Sequence, residues 1–561
     1  MQPNLTKFIT CLVFFALMAG CSKTSEPDTV FYNGVVISVD KQDSLYQAVA
    51  VKDGKIIHLG SSDELLTLAG NSTETIDLNG DTLIPGFVAA HEHPTLEAVF
   101  ADTIDISGFT HQSAAQMWQF LESEVNKKPK GEWVFAMGID PVLFPDMQLP
   151  TLVELDKIAP NNPLVLISQT MHSFWANTQA FREAEVTKDT PDPGHGSYYQ
   201  KDENGELTGF ISEAEAAAPF LGDIRSPLGI ISNYQDVLDG YLASGFSSVA
   251  SLGANVPNWI AKYAASDFFD AKIRQFFYLT VDEVGGLPDE VANGDDYFSI
   301  LGIKLWHDGS PYTGSMQLQQ PYTTSELTKT LGLKPDHAGE SRLSEQAFIA
   351  EVETYSKQGW QIAIHTQGDL SSKLVTQVMS GFASQEFSKQ RHRVEHGLLI
   401  TKQTLTEMAA IGITPSFHIN HIYYYGDALA TGIIGPQRAQ NVLRVKDAFD
   451  LEMHPTLHAD GPMFPAAPFH LMQTAMTRAS NQGLVLGHDQ AISAQQALKA
   501  LTYNGAWQLG MEHKIGSIEV GKYADLVRLS ENPLTTAVVE LTNIEVIATW
   551  VEGEPKFQKS E

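Results

Sequence analysis

The sequence predicts an α/β protein: a (β/α)8 TIM-type barrel carrying a small β-sandwich module built from both termini. Three observations predict it. The long middle of the chain alternates short β-like runs with helical patterns, the texture of repeated βα units. Eight of those runs have the length and composition of barrel strands. Two β-rich ends flank this middle and read as halves of one module.

The first residues read as a targeting segment. Lys7 is the only charge before the apolar run Phe8 to Met18, which is too short to span a bilayer, and small Ala19 and Gly20 precede Cys21. The stretch Leu17-Met18-Ala19-Gly20-Cys21 resembles a bacterial lipobox, with Met18 where Leu is usual. That resemblance implies removal of residues 1–20 and lipidation of Cys21. Ser22 in place of Asp implies a lipid-anchored location in the bacterial cell envelope, at the outer membrane facing the periplasm. An ordinary secretory signal with a chance cysteine is the alternative. Cys11 falls in the discarded segment, so Cys21 stands alone and forms no internal disulfide.

After a polar tether, 21–28, come the runs Thr29–Tyr32, Val35–Val39, Ala48–Lys52 and Lys55–Leu59, with Asp53-Gly54 as a hairpin signal. Asp525–Leu529 and Ile544–Val551, followed by the turn Glu552-Gly553-Glu554, repeat that texture. The composite sandwich is therefore expected over 29–82 and 510–557, and the barrel over 83–509. Its strands are expected at Thr82–Ala90, Ser247–Leu252, Ile273–Thr280, Ile300–Leu305, Gln361–Ile364, His392–Glu395, Ile413–Phe417 and Pro455–Ala459. The last is the weakest, since Pro455 cannot donate to a central ladder. Residues 94–225 exceed one crossover and read as an insertion, with helices near Ser113–Val125 and Thr151–Ile158.

The 561 residues are 43% hydrophobic, ample for a large core. Lys and Arg number 36 against 67 Asp and Glu, a net charge of −31. Such a surface repels phosphate backbones, so a small molecule rather than nucleic acid is the expected partner. The sequence leaves the oligomeric state open.

Chemistry gathers at strand ends. His91 and His93 follow an apolar run, and residues i and i+2 of a strand face the same way, so both imidazoles can address one metal. Lys304, His365, His396 and Asp460 stand at the ends of later strands. Groups on different strand ends converge at the C-terminal mouth of a barrel, where such active sites form. Imidazoles and a carboxylate suit zinc or a similar divalent ion. A lysine ammonium would repel that ion; a carbamylated lysine would bridge two.

In these motifs the chain resembles the amidohydrolase superfamily, specifically the family-3 branch that includes N-substituted formamide deformylases. The motifs are Ile84-Pro85-Gly86-Phe87 leading to His91 and His93; Lys304 followed by Asp308-Gly309-Ser310; His365 followed by Gly368-Asp369; Arg393-Val394-Glu395-His396; and Gly516-Ser517-Ile518-Glu519-Val520-Gly521-Lys522. The resemblance implies that His91, His93, His365 and His396 bind metal, that Lys304 is the carbamylated bridge, and that Asp460 binds metal and shuttles the proton. One or two divalent ions are implied, zinc first. Two departures stand out. Glu92 separates the paired histidines where small or aliphatic residues are usual, and His458-Ala459 replaces the usual Gly-Ser before the aspartate.

The resemblance also gives His172, in Met171-His172-Ser173, a substrate-side role, with a capped loop histidine as the alternative. Glu213 matches a branch position, with a salt bridge at the core edge as the alternative; Arg438 is expected to pack. His418, His421 and Tyr423 to Tyr425 are expected in an exposed polar-aromatic loop, with lining of the pocket as the alternative. Trp306 and His307 are expected to shape the site or to pack, and Asp308 to hold a ligand. His58, His111, His195, His337 and His513 are expected at the surface. The function implied is metal-assisted hydrolysis of a non-peptide carbon–nitrogen bond. An ester or lactone with the same site, or a non-catalytic ligand- or zinc-binding lipoprotein, are the alternatives.

Overall fold

The computed structural model describes residues 26–144, 147–194, 196–222, 224, 227–253, 272–288, 291 and 294–560. Cys21 and His195 lie outside the described residues. Eight parallel strands form the barrel: β1 (Phe87–Glu92), β2 (Phe246–Leu252), β3 (Arg274–Thr280), β4 (Phe298–Trp306), β5 (Gln361–Thr366), β6 (Arg393–His396), β7 (Thr414–His418) and β8 (Thr456–His458). Each pairs with the next in order. Strands such as β2 and β5 are buried along their whole length, as expected where helices cover the outside and side chains fill the inside. No ladder joins β8 to β1; the two pack together at the seam.

Thr82–Ala90 is not one strand. Thr82–Pro85 belongs to a six-stranded sheet of the end module, and β1 begins at Phe87. The break is at Gly86, where a Cβ would lie 2.2 Å from the Ser247 hydroxyl. That sheet runs Glu554–Gln558, Val546–Val551, Leu526–Leu529, Thr82–Pro85, Val35–Ile37 and Leu45–Tyr46, so three strands from each end of the chain meet in one sheet. Leu526 pairs with Pro85 and Val527 with Ile84. Against it lies a four-stranded sheet containing Thr29–Tyr32 and Ala48–Lys52. Phe31, Val36, Leu83, Leu526 and Trp550 share the core between them, with the Phe31 and Trp550 rings edge to face at 5.0 Å. Glu554, expected in a turn, starts the last strand.

The buried Arg274 of β3 ties the two parts together, donating from Nε and Nη2 to Asp525 at 2.8 and 3.1 Å. The insertion holds the two expected helices, Ala114–Val125 and Leu152–Ile158, capped by Ser113 and Thr151. It also holds a mixed six-stranded sheet, including Val134–Ile139, Leu164–Ser168 and Leu207–Ser212, that the sequence reading did not anticipate. Its own core includes Met117, Leu121, Leu166 and Trp175. Among the described residues no helix is long and apolar enough to cross a membrane.

Candidate active site

The barrel interior carries a charged column below its C-terminal mouth. Arg393 and Glu395, two apart on β6, point the same way, and Arg393 donates to Glu395 from Nε and Nη2 at 2.8 and 3.0 Å. Burial alone would raise the Glu395 carboxyl, but Arg393 and His91 outweigh it and hold it at about 2. Glu395 in turn accepts the Nδ1 proton of His91 at 2.5 Å. A ring whose Nδ1 carries the proton presents a lone pair at Nε2.

That lone pair faces a carboxylate. His91 Nε2 and His93 Nε2 each lie 3.1 Å from Asp460 Oδ1. Yet neither His91 Nε2 nor Asp460 Oδ1 makes a hydrogen bond, and both are buried. Two buried polar atoms this close, without a hydrogen bond of good geometry between them, call for positive charge in the space they share. The remaining donors surround the same space. His396 Nδ1 is 3.7 Å from Asp460 Oδ2, and His458 Nε2 is 3.2 Å from His396 Nδ1. One donor atom each from His91, His396, His458 and Asp460 lie within 4.8 Å of one another. Burial pushes His365, His396 and His458 well below the usual imidazole range, so their rings are neutral and able to donate a lone pair.

His365 sits beside this group, its ring 4.2 Å from that of His396, with Nε2 3.4 Å from the Gly309 carbonyl. Lys304 is buried with no hydrogen-bond partner at Nζ. Burial lowers its ammonium to about 8, against the opposing pull of Glu395 and Asp460. The residues present therefore fit a divalent ion: neutral imidazoles, a carboxylate, and buried polar atoms left without partners. Asp460 and His396 also adopt left-handed backbone, φ +61° and +69°, a strain that persists only where the surroundings impose it.

Glu92 explains how Asp460 is held. Its Oε1 accepts from the Ala459 amide at 3.0 Å and its Oε2 from the Gly461 amide at 2.6 Å, gripping the chain on both sides of Asp460. Burial pushes this carboxyl well above its usual range in spite of those two donors.

From the insertion, His172 Nδ1 donates to Glu213 Oε2 at 2.7 Å, and its ring lies 6.3 Å from that of His365. Arg342 donates to the same Glu213 oxygen at 2.7 Å, and Ser315 to the other at 3.1 Å. Burial would raise Glu213, but His172 and Arg342 hold it at about 2. The structure thus brings His172 and Glu213 together at the edge of the site.

Several expectations are corrected. His418, His421 and Tyr425 are buried, not in an exposed loop; β7 ends at His418, and Asn420–Ala428 is a helix. His418 Nδ1 lies 3.7 Å from Asp460 Oδ2, its ring packs tilted against His421 at 4.1 Å, and His421 Nδ1 meets the Tyr312 hydroxyl at 2.8 Å. Tyr425 donates to the buried Asp140 at 2.5 Å. Asp308 accepts from the Gln317, Gln367 and Gly368 amides at 3.0, 2.9 and 2.9 Å, so it ties loops together, with His365 Nε2 3.9 Å away. His307 pairs with Ser371 and packs on Phe348. Arg438 binds the Ile434, Gln320 and Pro321 carbonyls, a packing role as expected. His513 is exposed, and His58, His111 and His337 are half-buried.

Sequence reasoning missed Glu395, Glu92 and His458 as parts of the site, and gave His418 a place there only as the alternative. The spacing of Arg393, Glu395 and His396 was the signal for Glu395. For Glu92 and His458 the signal was their departure from the usual pattern. A cavity of about 310 Å³ adjoins the Asp460 segment, lined by Glu97, Phe109, Gln169, Pro462 and Phe464.

Comparison with known proteins places this geometry. A sequence model described as an amidohydrolase family matches residues 74–557. The chain is similar to N-substituted formamide deformylase of Arthrobacter pascens, 26% identical over 558 residues, covering 96% of this chain and 99% of that protein. It is 24% identical over 549 residues to the putative amidohydrolase YtcJ of Bacillus subtilis, covering 95% and 99%. Its fold is similar to that of an uncharacterized metal-dependent hydrolase from Pyrococcus horikoshii, TM-score 0.72 at 22% identity, covering 91% of this chain and 99% of that one.

Proposed function

The chain belongs to the amidohydrolase family and is a hydrolase, and from that premise we propose that it cleaves a non-peptide carbon–nitrogen bond of amide type in a small molecule. One observation carries the metal dependence: the buried Nε2 of His91 and Oδ1 of Asp460 face each other at 3.1 Å, each without a hydrogen-bond partner, with His396 and His458 around the same space. His91, His93, His365, His396 and Asp460 would hold one or two divalent ions, zinc first, with Lys304 as a carbamylated bridge. An ion there activates water near neutral pH and polarises the carbonyl.

The rest is the work of side chains. Asp460, gripped by Glu92, takes the proton from the attacking water and returns it to the leaving nitrogen. Glu395 fixes the tautomer of His91. His172, oriented by Glu213, presents its other nitrogen toward the substrate carbonyl. Similarity to a formamide deformylase over nearly the whole chain favours an amide over an ester or lactone. The reading extends to location: a lipid on Cys21 would hold the enzyme at the outer membrane, facing the periplasm, and the Leu17–Cys21 sequence supports it.

The test is turnover of a panel of N-substituted amides, esters and lactones, with the metal stripped by chelator and then restored. Activity on amides that vanishes with the metal and returns with zinc is expected. Metal-independent turnover, or activity confined to esters, overturns the reading.

A further inference from the structure

The two departures noted in the sequence, Glu92 and His458, converge on one segment. Glu92 grips the amides of Ala459 and Gly461, and His458 ends the strand that leads into them. His458 is fully buried, stacked parallel on His91 with ring centroids 4.2 Å apart and planes 7° apart. Its Nδ1 meets the Ser416 hydroxyl at 2.8 Å, and its Nε2 points to His396 Nδ1 at 3.2 Å.

The arrangement repeats that of His91. In each ring one nitrogen is held by an oxygen of another strand, Glu395 of β6 across the barrel for His91 and Ser416 of the adjacent β7 for His458, and the other turns toward the same space. Metal-binding histidines are ordinarily built this way, with the second nitrogen donating to a carboxylate, carbonyl or water. The spacings agree as well. Donors held about 2.0–2.1 Å from a tetrahedral zinc lie about 3.3 Å apart. Here the separations are 3.1 Å from His91 to Asp460 and 3.2 Å from His458 to His396, with 3.7 Å from His396 to Asp460. These three edges are close to those of a coordination shell, and all four donors lie within 4.8 Å of one another, a set that a bound ion would draw together.

We propose that His458 is a metal ligand particular to this chain, adding an imidazole from β8 to the centre formed by His91, His396 and Asp460. The inference rests on the metal-site reading above.

Two measurements test it. In a crystal structure of the zinc-loaded wild-type protein, His458 Nε2 should lie about 2.0–2.1 Å from the ion. An ion bound to the other residues, with His458 Nε2 still bonded to His396, overturns the proposal. Second, chelator competition on His458→Ala should show zinc affinity falling by more than the about 10–100-fold that loss of an outer partner causes, whereas Ser416→Ala should stay within that range. A loss in His458→Ala no larger than in Ser416→Ala overturns it. If His458→Ala fails to fold, the zinc-loaded wild-type structure decides alone. A wild-type protein that binds no divalent ion would remove the metal-site reading itself; a bound ion with His458 standing apart removes only this inference.

Discussion

Two seams join distant parts of this chain, and they are closed by different means. In the end module, Thr82–Pro85 meets Leu526–Leu529 through a backbone ladder backed by an apolar core. At the barrel seam no ladder joins β8 to β1, and the carboxylate of Glu92 bridges them by gripping the amides around Asp460. A ladder depends little on which side chains flank it. A side-chain grip releases the strand end from the sheet, lets Asp460 take its left-handed backbone, and makes its position depend on one residue. The barrel is closed by chemistry at the place where it works, and by backbone where it does not.

Breaking the first seam should have the largest effect. Removing the residues after Leu509 strips three strands from the six-stranded sheet and exposes the Thr82–Pro85 edge. The truncated protein is expected to be insoluble or unfolded by circular dichroism; a soluble, active product would show that the module is dispensable.

At the second seam, Asp460→Asn keeps the size and one acceptor oxygen but cannot take a proton at neutral pH. Turnover should fall by about 10²–10⁴ while melting temperature and most bound metal are retained. A fall of less than tenfold with the metal in place would exclude Asp460 as the shuttle. Collapse of the fold would give it a structural role instead.

Glu92→Gln probes the grip itself. The amide keeps one acceptor but turns an N–H toward one of the two backbone donors, which should destabilise the protein by about 1–3 kcal/mol. Chemical denaturation measures this. Activity lost out of proportion to stability would place the grip in catalysis, and no change in either would make it incidental.

The smallest effect lies outside both seams and calibrates them. His392, just before β6, is buried and accepts from the Ile362 amide at Nδ1, 3.0 Å. Burial pushes its pKa down to about 3, so the folded protein holds it neutral. Its contribution is complete above the unfolded value of about 6.5 and is lost as pH falls from there toward 3, by about 1.4 kcal/mol for the first unit. Melts from pH 7 to 5 should therefore fall less steeply for His392→Asn, which keeps an acceptor, than for the wild type. Parallel slopes would assign the acid sensitivity elsewhere.

Much of the barrel was legible because its strands are short buried runs that end in the residues of the site. His91 and His93 gained their meaning from the other strand-end residues rather than from their spacing alone, and seven of the eight strands lie where their apolar runs put them, the first being split at Gly86. The insertion's sheet could not be read this way. Leu164–Ser168 pairs with Val134–Ile139 and Ser173–Ala176, partners that no local pattern specifies, and its continuous burial hides the alternation of a half-exposed strand. His418 and His421 were misplaced for a related reason. A run of polar and aromatic residues reads as surface, but here the rings pack on one another and on Phe464 beneath the insertion. His458 and Glu92 showed only as exceptions to a pattern, because a residue that answers another across a barrel leaves no signature in its own neighbourhood.

The composite module also sets the order in which the molecule can be assembled. Every barrel strand but β1 finds its first partner in the strand just before it, whereas Thr82–Pro85, paired on one side with Val35–Ile37, completes its other side only with Leu526–Leu529, which emerges after almost all of the intervening chain. The entropy of closing so long a loop grows only slowly with its length, but it must be met before the contact gives anything back. That pairing closes a loop of most of the chain. Once made, it fastens the two ends of the molecule together like a clasp beside the barrel.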